Sequence, residues 1–355
     1  MTRHMFAGAL SPVGFIDFFD NIMPVRKAQT RYFLKGASGG GKSTFMKQVA
    51  TELEKCDIAA ELFHCANDAA SLDAVSVAQI GLCIMDATAP HSRDPHIPVI
   101  TDNIIDFAQF LDRDKLARHK TTIENLLHDK KILMDKAMDY FAAAGKIYTA
   151  DKTAAHTALK LPDLDNLARG ISQALCHRGL HNQSSAGRNR QLFLTAITPE
   201  GPISLADNAF ENCHVHAIYT EEQIGTNRLL AHIKKWANAN GMNTESFHSP
   251  LDPAQIEYLH LPSQNQAFVT TGGIFGYRGK VDERIDLAPC LNPAMFNRIK
   301  MDMERDNALL DALLEQTTDL LRAAKSIHTK IEEIYIQAMD FASVDEMTKD
   351  FIEKI

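Results

Sequence analysis

The stretch FLKGASGGGKSTFMKQVA, Phe33–Ala50, decides how this chain is read. Gly36, Gly41, Lys42 and Ser43 stand at the spacing G-x-x-x-x-G-K-[ST]. An apolar run leads into the glycines and a helical pattern leads out, which is the context in which this spacing cradles phosphate. Glycines let the backbone wrap closely and turn its N–H groups inward. The helix that follows adds its positive end. Lys42 supplies a point charge for β- and γ-phosphates, and the Ser43 hydroxyl supplies a magnesium ligand. Gly36, Ser38, Gly39, Gly40, Gly41, Lys42, Ser43 and Thr44 are the expected nucleotide contacts.

Downstream, GLCIMDAT places the apolar residues Leu82–Met85 ahead of Asp86. A carboxylate at the end of a buried strand beside the loop strand is where a magnesium-associated acid belongs. Lys42 and Asp86 are therefore the expected catalytic pair, and Ser43 and Asp86 the expected metal ligands. The strand ending FHCAND brings His64, Asp68 and Asp73 toward the carboxyl edge, where a phosphate acceptor would bind. The competing reading makes His64 and Asp68 local turn and capping groups. The segment DATAPHSRDPHIP carries His91, Asp94 and His96, and reads either as a switch-like loop or as a rigid, proline-shaped connection. His91 or Asp94 would position water. No acid directly follows Asp86, so fast hydrolysis by the chain alone is not expected.

The chain is written twice. FAGALSPVGFIDFFDN from Phe6 matches FLTAITPEGPISLADN from Phe193. ELFHCANDAASLDAV from Glu61 matches ESFHSPLDPAQIEYL from Glu245, and the segment from Phe141 matches the one from Leu321. Two tandem units of roughly 180 residues follow. In each, strands alternating with helices predict an α/β fold with a parallel, P-loop NTPase-type sheet, mixed at its edge. Amphipathic helices forming a hairpin or bundle follow each sheet. The expected division is 1–112, 113–185, 186–290 and 291–355, with a joint at HNQSSAGRNR. In the second copy Gly41, Lys42, Ser43 and Asp86 align with Gly225, Thr226, Asn227 and Thr270. The lysine, most glycines and the metal acid are gone, and Glu221 and Glu222 repel phosphate. The second unit is expected to keep the fold without binding nucleotide in the usual way. Arg228 and Arg278 are the arginines it could offer to the first site, or plain surface charges.

Composition narrows the classes. At 355 residues and 45% hydrophobic, the chain can build about two globular domains. A net charge of −8 gives no general attraction to nucleic acid or anionic lipid. No apolar run approaches a membrane span, and the N-terminus lacks a convincing secretory core. The scattered cysteines form no Cys-x-x-Cys pair, so reduced thiols and a cytoplasmic setting are expected. His177 and His181 share a helical face without a completing ligand.

KGASGGGKSTFMK, HCANDAASLDAV, DATAPHSRDPHIP, IIDFAQFLD, AITPEGP and IYIQAMDF together carry a resemblance over nearly the whole chain. The chain resembles a bacterial family of tandem-duplicated P-loop ATPase-like proteins found in spore-forming Firmicutes. The resemblance implies two P-loop-type units, each followed by helices. It also implies Gly36, Gly41, Lys42 and Ser43 as nucleotide contacts and Asp86 as the magnesium acid. Members generally carry a loop in both halves; this chain departs from that pattern. The expectation is an ATP-binding, Mg2+-dependent protein with one intact site and slow or partner-stimulated hydrolysis. GTP stays open, although no N-K-x-D motif follows. A kinase using Asp68, Asp73 or His64, and a nucleotide-gated scaffold recruiting a protein through its helices, are the alternatives.

Overall fold

The computed structural model describes residues 2–24, 26–176 and 185–355. The first unit runs β1 (Arg3–Phe6), β2 (Gly8–Ser11), β3 (Gly14–Asp17), β4 (Thr30–Lys35), α1 (Lys42–Lys55), β5 (Glu61–Cys65), β6 (Asp68–Val77), β7 (Leu82–Asp86) and β8 (Asp102–Asp106). Helices α2 (Arg113–Arg118), α3 (Lys120–His156) and α4 (Leu161–Cys176) follow. The second unit comprises β9 (Asn189–Leu192), β10 (Thr195–Thr198), β11 (Gly201–Ser204), α5 (Ala206–Ala209), β12 (His214–Tyr219), α6 (Thr226–Ala239), β13 (Thr244–His248), β14 (Ile256–Leu261), β15 (Gln266–Thr270) and β16 (Glu283–Asp286). Helices α7 (Pro293–Gln337) and α8 (Phe341–Ile352) end the chain. His177, His181 and the first residues of the expected joint lie outside the described residues.

The duplication is visible in the topology. The sheet orders are β1-β5-β6-β7-β4-β8 and β9-β13-β14-β15-β12-β16, the same series position by position. Details repeat as well. Ser11 Oγ donates to the Gly14 carbonyl at 2.7 Å, and Thr198 Oγ1 donates to the Gly201 carbonyl at 2.9 Å. The architecture is thus mixed α/β with two six-stranded mixed sheets.

One expectation is corrected. The strand–helix–strand–helix–strand series fails after β5, where β6 replaces the second helix. β6 pairs antiparallel with both β5 and β7, so the antiparallel strand lies inside the sheet and not at its edge. The side chains of β6 divide between two cores, with a register shift where Leu72 and Ala74 meet β5. Leu72, Val75 and Val77 join the core beneath α1, while Ala74 joins the opposite core. A strand buried on both faces presents no polar stripe to mark it.

Period-2 alternation sorts each sheet between two cores. In β7, Leu82 and Ile84 face α1, while Cys83 and Met85 face the other way. That second face meets the second sheet directly: Phe33, Phe63 and Met85 share one core with Phe247, Tyr258 and Val269. The layers therefore run helix, sheet, sheet, helix. A shared ion cluster closes one side. Arg190 bonds both oxygens of Glu61 at 2.9 and 2.7 Å and reaches Glu245 at 3.0 Å. Arg3 donates to the same two acids at 3.2 and 2.7 Å.

The helices cross over. α4 packs Leu164, Ala168 and Leu175 against Leu229, Leu230 and Ile233 of α6, in the second unit. Met339, just before α8, and Val344, within it, pack with Phe45 and Met46 of α1, in the first unit. Matching strand-like contacts anchor the crossings. The Asp112 N–H donates to the Ala338 carbonyl and the Asn292 N–H to the Ala158 carbonyl, each at 2.8 Å. Between these crossings α3 and α7 pack on each other through Phe141, Ala144, Leu314 and Leu321. Among the described residues, no helix is long and apolar enough to cross a membrane.

Candidate functional site

The glycine-rich loop joins β4 to α1. Gly41 is the helix N-cap in the left-handed region, at φ 89°, and Gly39 adopts φ 75°. A Cβ at Gly39 would lie 3.0 Å from the Glu332 carbonyl of α7, so the close approach itself requires glycine. The second copy's helical segment thus lies against the first copy's loop.

Lys42 is buried, and its ammonium donates to the carbonyls of Gly36 and Ala37 at 3.0 and 2.8 Å. Asp86 lies 3.5 Å from that ammonium. The parallel pairing of β4 with β7, which sets Leu34 beside Asp86, brings them together. The other Asp86 oxygen accepts from the Thr88 N–H and hydroxyl at 2.9 and 2.6 Å. Ser43 Oγ accepts from the Leu72 N–H at 2.9 Å, which ties the helix start to β6. The hydroxyl keeps a second acceptor lone pair. The lysine, serine and acid expected at one place are therefore brought to one place, together with the glycines. Thr44, the next residue, is exposed on the first turn of α1.

The other candidates separate. Asp73 is fully enclosed, and burial, with the nearby Asp86 charge adding to it, pushes its carboxyl up to about 7. His91 stacks on Phe19 with ring centroids 4.7 Å apart, and its Nε2 lies 3.9 Å from Asp73. Burial lowers its pKa, and its buried Nδ1 has no hydrogen-bond partner. Asp68 is ion-paired with Lys325 of α7 at 2.9 Å and bonded to Ser71. His64 contacts the Ala69 carbonyl at 2.7 Å and His4 at 2.8 Å. His248 makes the matching contact to the Pro253 carbonyl at 2.7 Å, so this histidine holds the hairpin turn in both copies. Asp94 is exposed, 3.8 Å from Lys35. Lys35 instead fastens the segment after β7, donating to the Ala87 and Arg93 carbonyls at 2.8 Å each. Arg228 pairs with Asp165 of α4 at 2.9 Å, and the Arg278 backbone N–H donates to Asp207.

α7 adds groups that no local pattern announced. His328 accepts from Lys130 of α3 at 3.0 Å and lies 3.6 Å from Glu332. Burial first, then the Lys130 charge, lowers the His328 pKa to about 4. The helical repeat put these residues on a helix; only the crossing of α7 onto the first unit brings them to the loop.

The second copy keeps the frame, with Thr226 and Thr270 standing where Lys42 and Asp86 stand. Gly225 caps α6 at φ 86°, as Gly41 caps α1. Asn227 Oδ1 accepts from the Ile256 N–H at 2.9 Å, the bond that Ser43 makes to Leu72. Gln223 takes the place of Gly39 and still adopts φ 56°, a conformation costly for a side-chain-bearing residue. Its amide donates to the Gly272 carbonyl at 2.6 Å and occupies the loop mouth. Thr270, standing where Asp86 stands, is buried with its Oγ1 unpartnered. What remains is a cavity of about 60 Å3, lined among others by Tyr148, Lys152, Gln223 and Glu257. That volume holds only a few water molecules. Lys152 of α3 donates to the Glu222 carbonyl, so an amine reaches this loop from the crossing helix.

Comparison with known proteins gives this chain no relative: no family model matches it, and neither a curated protein nor a solved structure does.

Proposed function

We propose that the protein is a Mg2+-dependent ATP-binding protein of the P-loop type, with one intact nucleotide site and slow or partner-stimulated ATPase activity. The observation that carries this reading is the Lys42 ammonium, held between two loop carbonyls and 3.5 Å from Asp86. A buried amine so placed can exchange its carbonyl contacts for phosphate oxygens without a new conformation of the chain. The loop N–H groups and the start of α1 supply further positive potential. Ser43 and Asp86 would hold magnesium, whose chemistry is to bridge phosphate oxygens and offset charge as it develops.

His91 is the group that would orient water. It stays neutral near pH 7, its Nδ1 is free to accept, and Phe19 fixes its ring. No second carboxylate adjoins Asp86 in sequence, which supports slow turnover over a fast motor cycle. The contacts of His64 and Asp68 also favour hydrolysis over transfer to a bound acceptor, because hairpin and helix packing already occupy both side chains. The plugged loop at Gln223 supports a second unit that braces the first without binding nucleotide.

Equilibrium binding of Mg-ATP to wild type and Lys42→Ala tests the proposal. We expect at least a tenfold weakening, roughly 1.4 kcal/mol. Equal binding by the two proteins, or no binding by wild type, would overturn it.

A further inference from the structure

A second cluster of ligating side chains lies at the opposite, amino-terminal edge of the second sheet. His214 and His216 are two residues apart on β12, so both rings stand on one face. Glu283 opens the neighbouring parallel strand β16, in direct register with His216. His214 Nε2 is 3.0 Å from Glu283 Oε1, and His216 Nδ1 is 3.1 Å from Glu283 Oε2. One ligand atom from each of the three residues lies within 4.8 Å of the others. For bonds of about 2.1 Å, neighbouring ligands of a divalent ion sit about 3.0 Å apart in an octahedron and about 3.4 Å apart in a tetrahedron. The two contacts, each to a different oxygen of Glu283, are of that order, and the three ligand atoms lie within 4.8 Å of one another.

The far sides of the rings supply an independent observation. His216 Nε2 meets the Gln266 side-chain oxygen at 3.1 Å, a contact on the far side of the ring from Glu283. Nδ1, on the other side, faces the Glu283 carboxylate at 3.1 Å. The ring is also fixed by stacking on Phe268, with centroids 4.5 Å apart and planes 8° from parallel. His214 Nδ1 faces Asp282 at 4.0 Å, and Asp282 is itself held by the Val215 N–H. Such outer contacts orient imidazoles bound to metal.

We propose that His214, His216 and Glu283 bind one first-row divalent cation that pins the edge strand β16 to β12. His214 and Glu283 keep 38% and 46% of their side-chain surface exposed, so the remaining coordination positions face solvent. β16 leads within a few residues into α7, so the clamp lies at the root of the helix that covers the glycine-rich loop. The donor set of two imidazoles and one carboxylate suits zinc or ferrous iron over magnesium.

The test uses the full chain, stripped with a chelator and titrated with Zn2+ under excess Mg2+, with Co2+ absorption as a coordination readout. We expect about one Zn2+ per chain and a higher thermal midpoint on binding. His214→Ala and Glu283→Gln, both at partly exposed positions, should each weaken binding roughly tenfold or more and remove the Co2+ bands. Lys42→Ala should bind Zn2+ like wild type, which separates this site from the loop. Unchanged binding in His214→Ala or Glu283→Gln would overturn the proposal. So would a wild-type chain that takes up no Zn2+.

Discussion

Phe6 and Phe193 exchange both of their backbone hydrogen bonds, at 2.9 Å in one direction and 3.0 Å in the other. They are equivalent residues of the two copies, so an approximate twofold axis passes between them. Arg3 on β1 and Arg190 on β9 reach Glu61 and Glu245 from either side of that axis. The duplicated chain is thus folded as an internal dimer, and the copies depend on each other for burial.

The ion cluster on the axis should respond strongly to truncation. Arg190 bonds both acids, and removing it leaves the buried Glu245 with less compensation. Arg190→Ala is expected to cost about 3–5 kcal/mol by chemical denaturation. Pairing it with Glu61→Ala should cost less than the two separate losses added together.

The crossing of α7 over the loop predicts a specific effect at Gly39. An added methyl group there meets the Glu332 carbonyl at 3.0 Å, on a backbone at φ 75°. Gly39→Ala should weaken Mg-ATP binding and also lower the thermal midpoint without nucleotide. A variant with unchanged stability would show that α7 does not press on the loop in solution.

The buried acid of the second unit gives a pH dependence. Burial pushes Glu257 up to about 7 in the folded chain, against an ordinary value of 4.5. Folded protein therefore holds a proton that the unfolded chain has released between these values. Stability falls as pH rises through this window and then levels off. Glu257→Gln removes the penalty, so it should stabilise at pH 8 by on the order of 1–3 kcal/mol more than at pH 4. Denaturant midpoints at the two pH values measure the difference.

The second loop should be silent toward nucleotide but not toward packing. Thr226→Ala, at the position of the lost lysine, is expected to leave Mg-ATP affinity unchanged; a large loss would reveal a second working site. Leu164→Ala, which opens a hole where α4 crosses onto α6, should cost about 2–5 kcal/mol.

Lys42, Ser43 and Asp86 were legible because each sits in a short local context: a glycine turn, a helix start and the end of an apolar strand. His91 and Asp73 were legible as residues but not as an enclosed pair, nor was the stacking of His91 on Phe19. His214, His216 and Glu283 were not legible together. Alternating histidines mark one strand face, but the carboxylate arrives from another strand through sheet register.

The sequence by itself determined the loop, the helix that follows it, the duplication and the decay of the second copy. These follow from turn chemistry and periodicity, which act over a few residues. Tertiary structure alone decided that β6 runs antiparallel inside the sheet, that the two sheets face each other, and that each copy's helices cover the other copy. Those outcomes depend on which apolar faces find each other across long stretches of chain. An apolar face in the sequence states that it must be buried, and only the assembled fold states against what.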